Sequence, residues 1–299
     1  MLSLKRALIL LMLFLSACSG GLPNLQTGLA SATPVPPTVT LTPPAPTETP
    51  IPLAITVNGE GVTLAEFKAE LERYQSAQKA AGKTVSDDQA TQAVREDLIA
   101  QILLAQGAIE AGFTLDDAGL KQKMDALATT LGGQDKLTAW VSTHGYTTAS
   151  FSAALKRASA SAWMRDKIMS SVPSTAEQVH VRQILLYNED VAKSYYNQLQ
   201  AGAIFEDLAA QVDPVTRGDI GWFPHGYLAE KAVEDAAFSL EAGAYSAIIP
   251  SEVGFHILKL IDRQPARELS PDARSALQAH ALTDWLENRR QQSKIVLAP

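Results

Sequence analysis

Apolar residues recur at helical spacing through the first half of the chain. Leu64, Phe67, Leu71 and Tyr74 share one face behind the capping box Thr63-Leu64-Ala65-Glu66, which follows a turn at Val57-Asn58-Gly59-Glu60. A second stripe, Val94, Leu98, Ile102, Ala105 and Ile109, stops at Gly112. A third, Leu120, Met124, Leu127 and Leu131, stops at Gly132-Gly133. Leu137, Trp140 and Val141 predict a short fourth helix closing near Gly145. Phe151, Leu155, Ala158 and Ala162 predict a fifth, running to about Met169. Residues 54–172 are therefore expected to form an all-helical domain.

The period then changes. Alternation over 179–187 predicts a strand, followed by a helix with Ala192, Tyr195, Leu199 and Ala201 and a short one over 205–210. The glycine-punctuated stretch RGDIGWFPHGYL leads to a helix over 232–240 and two strand-like runs, 245–249 and 254–261. The order β-α-α-α-β-β within residues 176–265 predicts an α+β domain. Ser270-Pro271-Asp272 then starts a helix over 270–293, serine at the cap and proline at the first helical position. Its stripe, Leu277, Ala281, Leu282, Trp285 and Leu286, needs a surface to bury it, and the N-terminal helices are the expected one.

Ahead of these domains, Lys5 and Arg6 precede an apolar run from Ala7 to Leu15, the layout of a secretory signal over 1–18 and too short for a bilayer span. Residues 19–53 hold nine prolines. Proline lacks the amide donor and fixes φ, so this stretch is expected to be an extended linker, reaching up to roughly 100 Å at ~3.1 Å per residue. A tether fits an exported protein better than a ligand for a proline-binding domain does.

Composition narrows the chemistry. A net charge of −7 with no basic stripe argues against nucleic-acid binding. One cysteine excludes an internal disulfide framework, and the five histidines show no metal-ligand spacing. No metal and no cofactor are expected. The single cysteine, Cys18, ends the run Leu15-Ser16-Ala17-Cys18, which resembles the lipobox of bacterial lipoproteins. That resemblance implies lipidation of Cys18 and attachment to a bacterial membrane outside the cytoplasm; the plainer alternative is a signal peptide with an incidental cysteine.

Three blocks in order, Gly218-Asp219-Ile220-Gly221-Trp222-Phe223, Glu234-Asp235-Ala236-Ala237-Phe238-Ser239-Leu240 and Gly254-Phe255-His256-Ile257-Leu258-Lys259-Leu260, resemble the parvulin family of peptidyl-prolyl isomerases. The helical domain opening VNGEGVTLAEF, with a terminal helix beyond the isomerase domain, is similar to SurA- and PrsA-type exported foldases. The resemblance implies an extracytoplasmic isomerase acting on unfolded or exported clients with X–Pro bonds. It also implies that the N-terminal helices serve as a chaperone. The fold expected is α+β, a helical chaperone-like domain with the C-terminal helix plus a parvulin-like isomerase domain.

Carried onto this chain, the family's second histidine is His256, and the proline cup is Ile220, Leu228 and Val233, in place of leucine, methionine and phenylalanine. Gln183 stands at the first histidine, and Asp213 is matched to the family's cysteine or aspartate. An inward glutamine needs a partner, and His256 is the expected one. His180 and His225 are expected at the surface. The acidic loop Tyr187-Asn188-Glu189-Asp190 argues against phosphorylated substrates. With Gln183 and Val233 departing from the family, two readings stay open: an isomerase of reduced activity, and a membrane-tethered chaperone with little or no turnover.

Overall fold

The computed structural model describes residues 51–298. Cys18, the signal over 1–18 and nearly all of the linker over 19–53 lie outside the described residues. Among the described residues no helix is long and apolar enough to cross a membrane. The chain divides into two compact units, one including residues 51–161 and 293–298, the other residues 162–292.

The first unit opens with strands β1 (Leu53–Val57) and β2 (Glu60–Thr63), a hairpin closed by Asn58-Gly59. Both turn residues have positive φ, 53° and 91°. That is the geometry a two-residue hairpin needs to match strand twist, and Asn-Gly is the pair that reaches it most readily. Helices α1 (Leu64–Ala80), α2 (Asp87–Glu110), α3 (Asp117–Leu131), α4 (Gln134–Thr143) and α5 (Thr148–Ser170) follow. The capping box at Thr63 and Glu66 is formed, and Ser86 with Gln89 makes a second one for α2. Leu120, Ala128, Leu137, Val141, Phe151 and Leu155 build one buried cluster.

The helical unit also contains a small sheet that the helical period did not reveal. Strand β7 (Ile295–Leu297) pairs antiparallel with β1, giving the order β2-β1-β7. Ile55, Val57 and Val62 are fully buried on it. Asn58 is the rivet. Its side-chain amide donates to Gln106 Oε1 (2.9 Å) and Ser293 Oγ (3.0 Å), and its Oδ1 accepts from the Lys294 amide (2.8 Å). Short strands with few apolar positions carry no readable alternation, which is why only a turn was legible here.

The second unit is built on β3 (Thr175–Leu186), α6 (Glu189–Gln200), α7 (Phe205–Val212), β4 (Asp219–Pro224), α8 (Lys231–Ser239), β5 (Ile249–Ser251) and β6 (Gly254–Glu268). All pairings are antiparallel, in the order β4-β3-β6-β5. One core, with Val179, Val181, Phe223, Val233, Phe238, Leu258 and Leu260, lies toward α8. The other, with Ile184, Leu186, Leu199, Phe205, Leu208 and Ile257, lies toward α6 and α7. The α+β expectation holds with three differences. The glycine-punctuated stretch contains a strand, β4. The run at 245–249 contributes only a single bridge, Tyr245 to Lys259, before β5 begins at Ile249. And β3 and β6 are longer than their apolar runs, because the added pairing from Thr175 to Gln178 is mostly of polar residues. Gln178, nearly inaccessible, donates to the Arg267 and Glu268 carbonyls at 2.9 and 3.1 Å and fills the bulge in that ladder.

Helix α9 (Pro271–Gln291) starts at Ser270, whose hydroxyl accepts from the Ala273 amide (3.2 Å). Within this unit, Ala273, Leu277 and Ala281 pack on Val172, Ala176 and Leu269, and Gln278 Nε2 donates to the Met169 carbonyl (3.1 Å). The unit boundary falls inside α5, between Ser161 and Ala162, so the end of α5 belongs with α9 and the larger sheet.

Candidate functional site

The pairing of β3 with β6 sets Leu185 opposite His256 and Gln183 opposite Leu258. Across that ladder His256 Nδ1 lies 3.2 Å from Gln183 Oε1, and Nε2 lies 2.8 Å from Ser251 Oγ. The Ser251 oxygen accepts from the Val253 amide (3.1 Å), so its own proton is free to point at the ring. The network assigns one consistent arrangement: Nδ1–H donates to Gln183, and Nε2 accepts from Ser251. Ser251 carried no signal in the sequence beyond sitting five residues before His256 in a tight turn.

His256 is 4% exposed, and burial pushes its pKa below the ordinary 6.5, opposed by the Glu230 carboxylate. The native ring therefore resists a proton that the unfolded chain accepts. As pH falls below about 6.5, the unfolded state gains protons first, and this contribution destabilises the fold until the pH reaches the lowered native value. Urea midpoints of the wild type are expected to drop between pH 7.5 and pH 5 more steeply than those of His256→Asn. Parallel pH profiles for the two proteins would contradict this account.

The apolar wall comes from three elements. Ile220 on β4, Leu228 in the loop after β4 and Val233 on α8 meet in the core that contains Phe223 and Phe238. Ile220 and Leu228 are half-buried, whereas Val233 is 3% exposed and forms the floor beneath them. The loop carrying Leu228 is held by Glu234, a buried carboxylate on α8. It accepts from the amides of Gly226 (2.7 Å), Tyr227 (2.9 Å) and Leu228 (3.0 Å). In the sequence Glu234 is one residue of the second parvulin-like block, and the block alone assigns it no role. The signal was there: Glu234, Ala237 and Phe238 share the apolar face of α8, where a charge has to be paired.

Gln183 and Ile220 also line a cavity of about 240 Å³ with Leu185, Tyr187, Val212, Asp213, Thr216 and Gly218. Asp213 ends α7, accepting from the Val215 and Thr216 amides, each at 3.1 Å, and from the Thr216 hydroxyl. The Thr216 hydroxyl and amide hold its carboxyl below the usual carboxylate range, so it faces the cavity ionised. Thus Gln183 joins the cavity to His256, and Ile220 joins the cavity to the apolar wall. Gln183, Asp213, Ile220, Leu228, Val233 and His256, all in the second unit, are linked to one another through these contacts.

His180 lies elsewhere on β3 and is no free surface group: its Nε2 is 2.9 Å from Asp219 Oδ1, and its ring stacks on Trp222. His225 is exposed and stacked on Phe238. Among the described residues no group of three His, Cys, Asp or Glu side chains is arranged to hold a metal ion. The site therefore offers an apolar wall and fixed hydrogen-bonding groups, with Ser251 Oγ already engaged by the ring and by the Val253 amide.

Residues 174–262 match the family profile of the PPIC-type PPIase domain, and residues 51–136 match that of the SurA-like N-terminal domain. Foldase protein PrsA of Caldanaerobacter subterraneus is 38% identical over 88 residues, 28% of this chain and 28% of that protein. Foldase protein PrsA 2 of Bacillus cereus is 33% identical over 115 residues, 36% of this chain and 40% of that one. Periplasmic chaperone PpiD of Haemophilus influenzae is 37% identical over 90 residues, 28% of this chain and 14% of that one. The chain thus matches well under half the length of these relatives. Among solved structures, the peptidylprolyl isomerase PrsA from Bacillus cereus aligns with 77% of this chain and 82% of its own, at 22% identity and a TM-score of 0.42.

Proposed function

We propose, from a PPIC-type isomerase domain over residues 174–262 joined to a SurA-like N-terminal domain, that this protein is a peptidyl-prolyl cis-trans isomerase that assists the folding of exported proteins. The observation that carries the reading is the half-buried wall of Ile220 and Leu228 over Val233, next to the Gln183–His256–Ser251 chain. Rotation about an X–Pro bond faces ~18–20 kcal/mol because amide resonance is lost in the twisted state. A protein lowers that barrier by seating the proline ring on apolar surface, excluding water from the amide and hydrogen-bonding the twisted form better than the planar one. None of this needs a nucleophile or a metal. The fixed donors and acceptors around His256 cost no reorganisation when the amide twists.

A second reading, a chaperone with little turnover, is favoured by Gln183, which stands at a family histidine and cannot take a proton. A turnover assay on a short unphosphorylated X–Pro peptide separates the two. We expect catalysis about one to two orders of magnitude below that of a complete parvulin, at ~1.4 kcal/mol of barrier per factor of ten. Gln183→His is expected to raise it and Ile220→Ala to lower it. Undetectable turnover in the wild type, unrescued by Gln183→His, leaves only the chaperone.

We place the protein outside the cytoplasm, held to a bacterial membrane by a lipid on Cys18, with X–Pro-containing clients as partners and nucleic acid excluded by charge. The periplasmic assignment of the PpiD relative supports the compartment. Mass spectrometry of the membrane fraction is expected to find a diacyl adduct on Cys18 that Cys18→Ala abolishes.

A further inference from the structure

We infer that α9 reaches the isomerase site: Leu277 packs against the loop of residues 226–228 that Glu234 holds by its amides, and so acts as a positioning residue for the cup wall Leu228. The inference rests on the isomerase reading for its effect on turnover, and on geometry for the clamp itself.

Gly226 has φ +79°, and a methyl group built on it would lie 3.2 Å from Leu277 Cδ2. The Leu277 side chain therefore sits directly against the Gly226 backbone. Leu277 is itself fixed, since it packs beside Val172, Leu269 and Ala273, all buried, and Ala281 one turn further along α9. The same loop is held by the Glu234 carboxylate, which accepts from the three successive amides of Gly226, Tyr227 and Leu228. The loop is thus held both by a charge through its amides and by an apolar side chain against Gly226. A carboxylate fixes the direction of the N–H groups but leaves the loop free to tilt about them; the leucine removes that freedom. Leu228, two residues from the clamped glycine, then meets Ile220 and Val233 at a fixed position.

A small displacement of a binding wall is expensive in rate, because catalysis depends on the wall fitting the twisted amide better than the planar one. Leu277 touches no substrate, so its effect must pass through the loop. The test compares Leu277→Ala, Leu277→Met and Val172→Ala in the full chain, well below their melting temperatures. Val172→Ala thins the same apolar cluster without touching Gly226. Leu277→Ala is expected to lower kcat/KM on an X–Pro peptide about tenfold, mostly through KM, with Leu277→Met close to wild type. Hydrogen exchange of the 226–228 amides is expected to quicken about tenfold in Leu277→Ala and to stay at the wild-type rate in Val172→Ala, although both melt earlier. Should Leu277→Ala fail to fold, Leu277→Val carries the same comparison with a smaller effect. Exchange at 226–228 that is no faster in the Leu277 variants than in Val172→Ala overturns the clamp. A wild type without turnover overturns the isomerase reading instead, and the exchange arm still decides the clamp.

Discussion

Gly218→Ala is expected to destabilise the unit of residues 162–292 by about 3–5 kcal/mol, at the upper end of single substitutions. Two causes add. Gly218 has φ +73°, a conformation costing an L residue roughly 1–2 kcal/mol. The new methyl carbon would also lie 2.1 Å from the Gln183 carbonyl oxygen and 3.3 Å from Ala209 Cβ, so backbone must move. The Gly218 carbonyl accepts from the Gln183 amide at 2.8 Å, and moving one strand breaks that bond as well. The control is Gly221→Ala, where φ is +78° but no atom lies within 4 Å of the added carbon. It should lose only the conformational part. Urea unfolding of the two variants checks the argument, and equal losses would show that the close approach to Gln183 is unimportant.

Glu234→Ala is expected to cost about 3–5 kcal/mol and to remove peptide binding at the cup. Three amides that now donate to one buried carboxylate would face an apolar space with no acceptor. Glu234→Gln is the graded case. Its single carbonyl oxygen can still accept two of the three, while its NH2 group meets the third amide donor to donor. A loss between those of wild type and alanine follows, about 1–3 kcal/mol. Urea midpoints measure the stability, and titration with a proline peptide measures the cup. If Glu234→Ala weakens stability but leaves peptide affinity intact, the carboxylate supports the fold without setting the position of Leu228.

The five helices of residues 64–170 were legible because each has an apolar stripe and a glycine or cap at its end. The α+β order of the second half was legible from the change of period at Val179. The rest was hidden for physical reasons. Strands β1, β2 and β7 have five residues or fewer, too short for alternation to stand out. Strand β4 is interrupted by Gly221, which reads as a loop. Within the site, His256 and Gln183 could be paired in advance because an inward glutamine needs a partner. Glu234 was legible as a charge on an apolar helix face that needs a partner, but its partners are backbone amides, which are the same in every sequence; Ser251 meets the His256 ring through a tight turn that leaves no mark in the pattern. Leu277 read only as one position in a stripe, because its contact is with a glycine that has no side chain to register.

The pairing of Ile55 with Leu297 has a consequence for the order in which the chain can fold. A ribosome or an export channel delivers β1 and β2 early and β7 only after some 230 further residues. Until then the outer edge of β1 is unpaired, and Asn58 lacks the Ser293 and Lys294 groups that it later binds. Closing so long a loop is slow relative to helix formation, although its entropy grows only logarithmically with length. The first strands of the described chain to be made are thus among the last to be finished, and the sheet of residues 175–268, whose strands arrive closer together, can be complete before them.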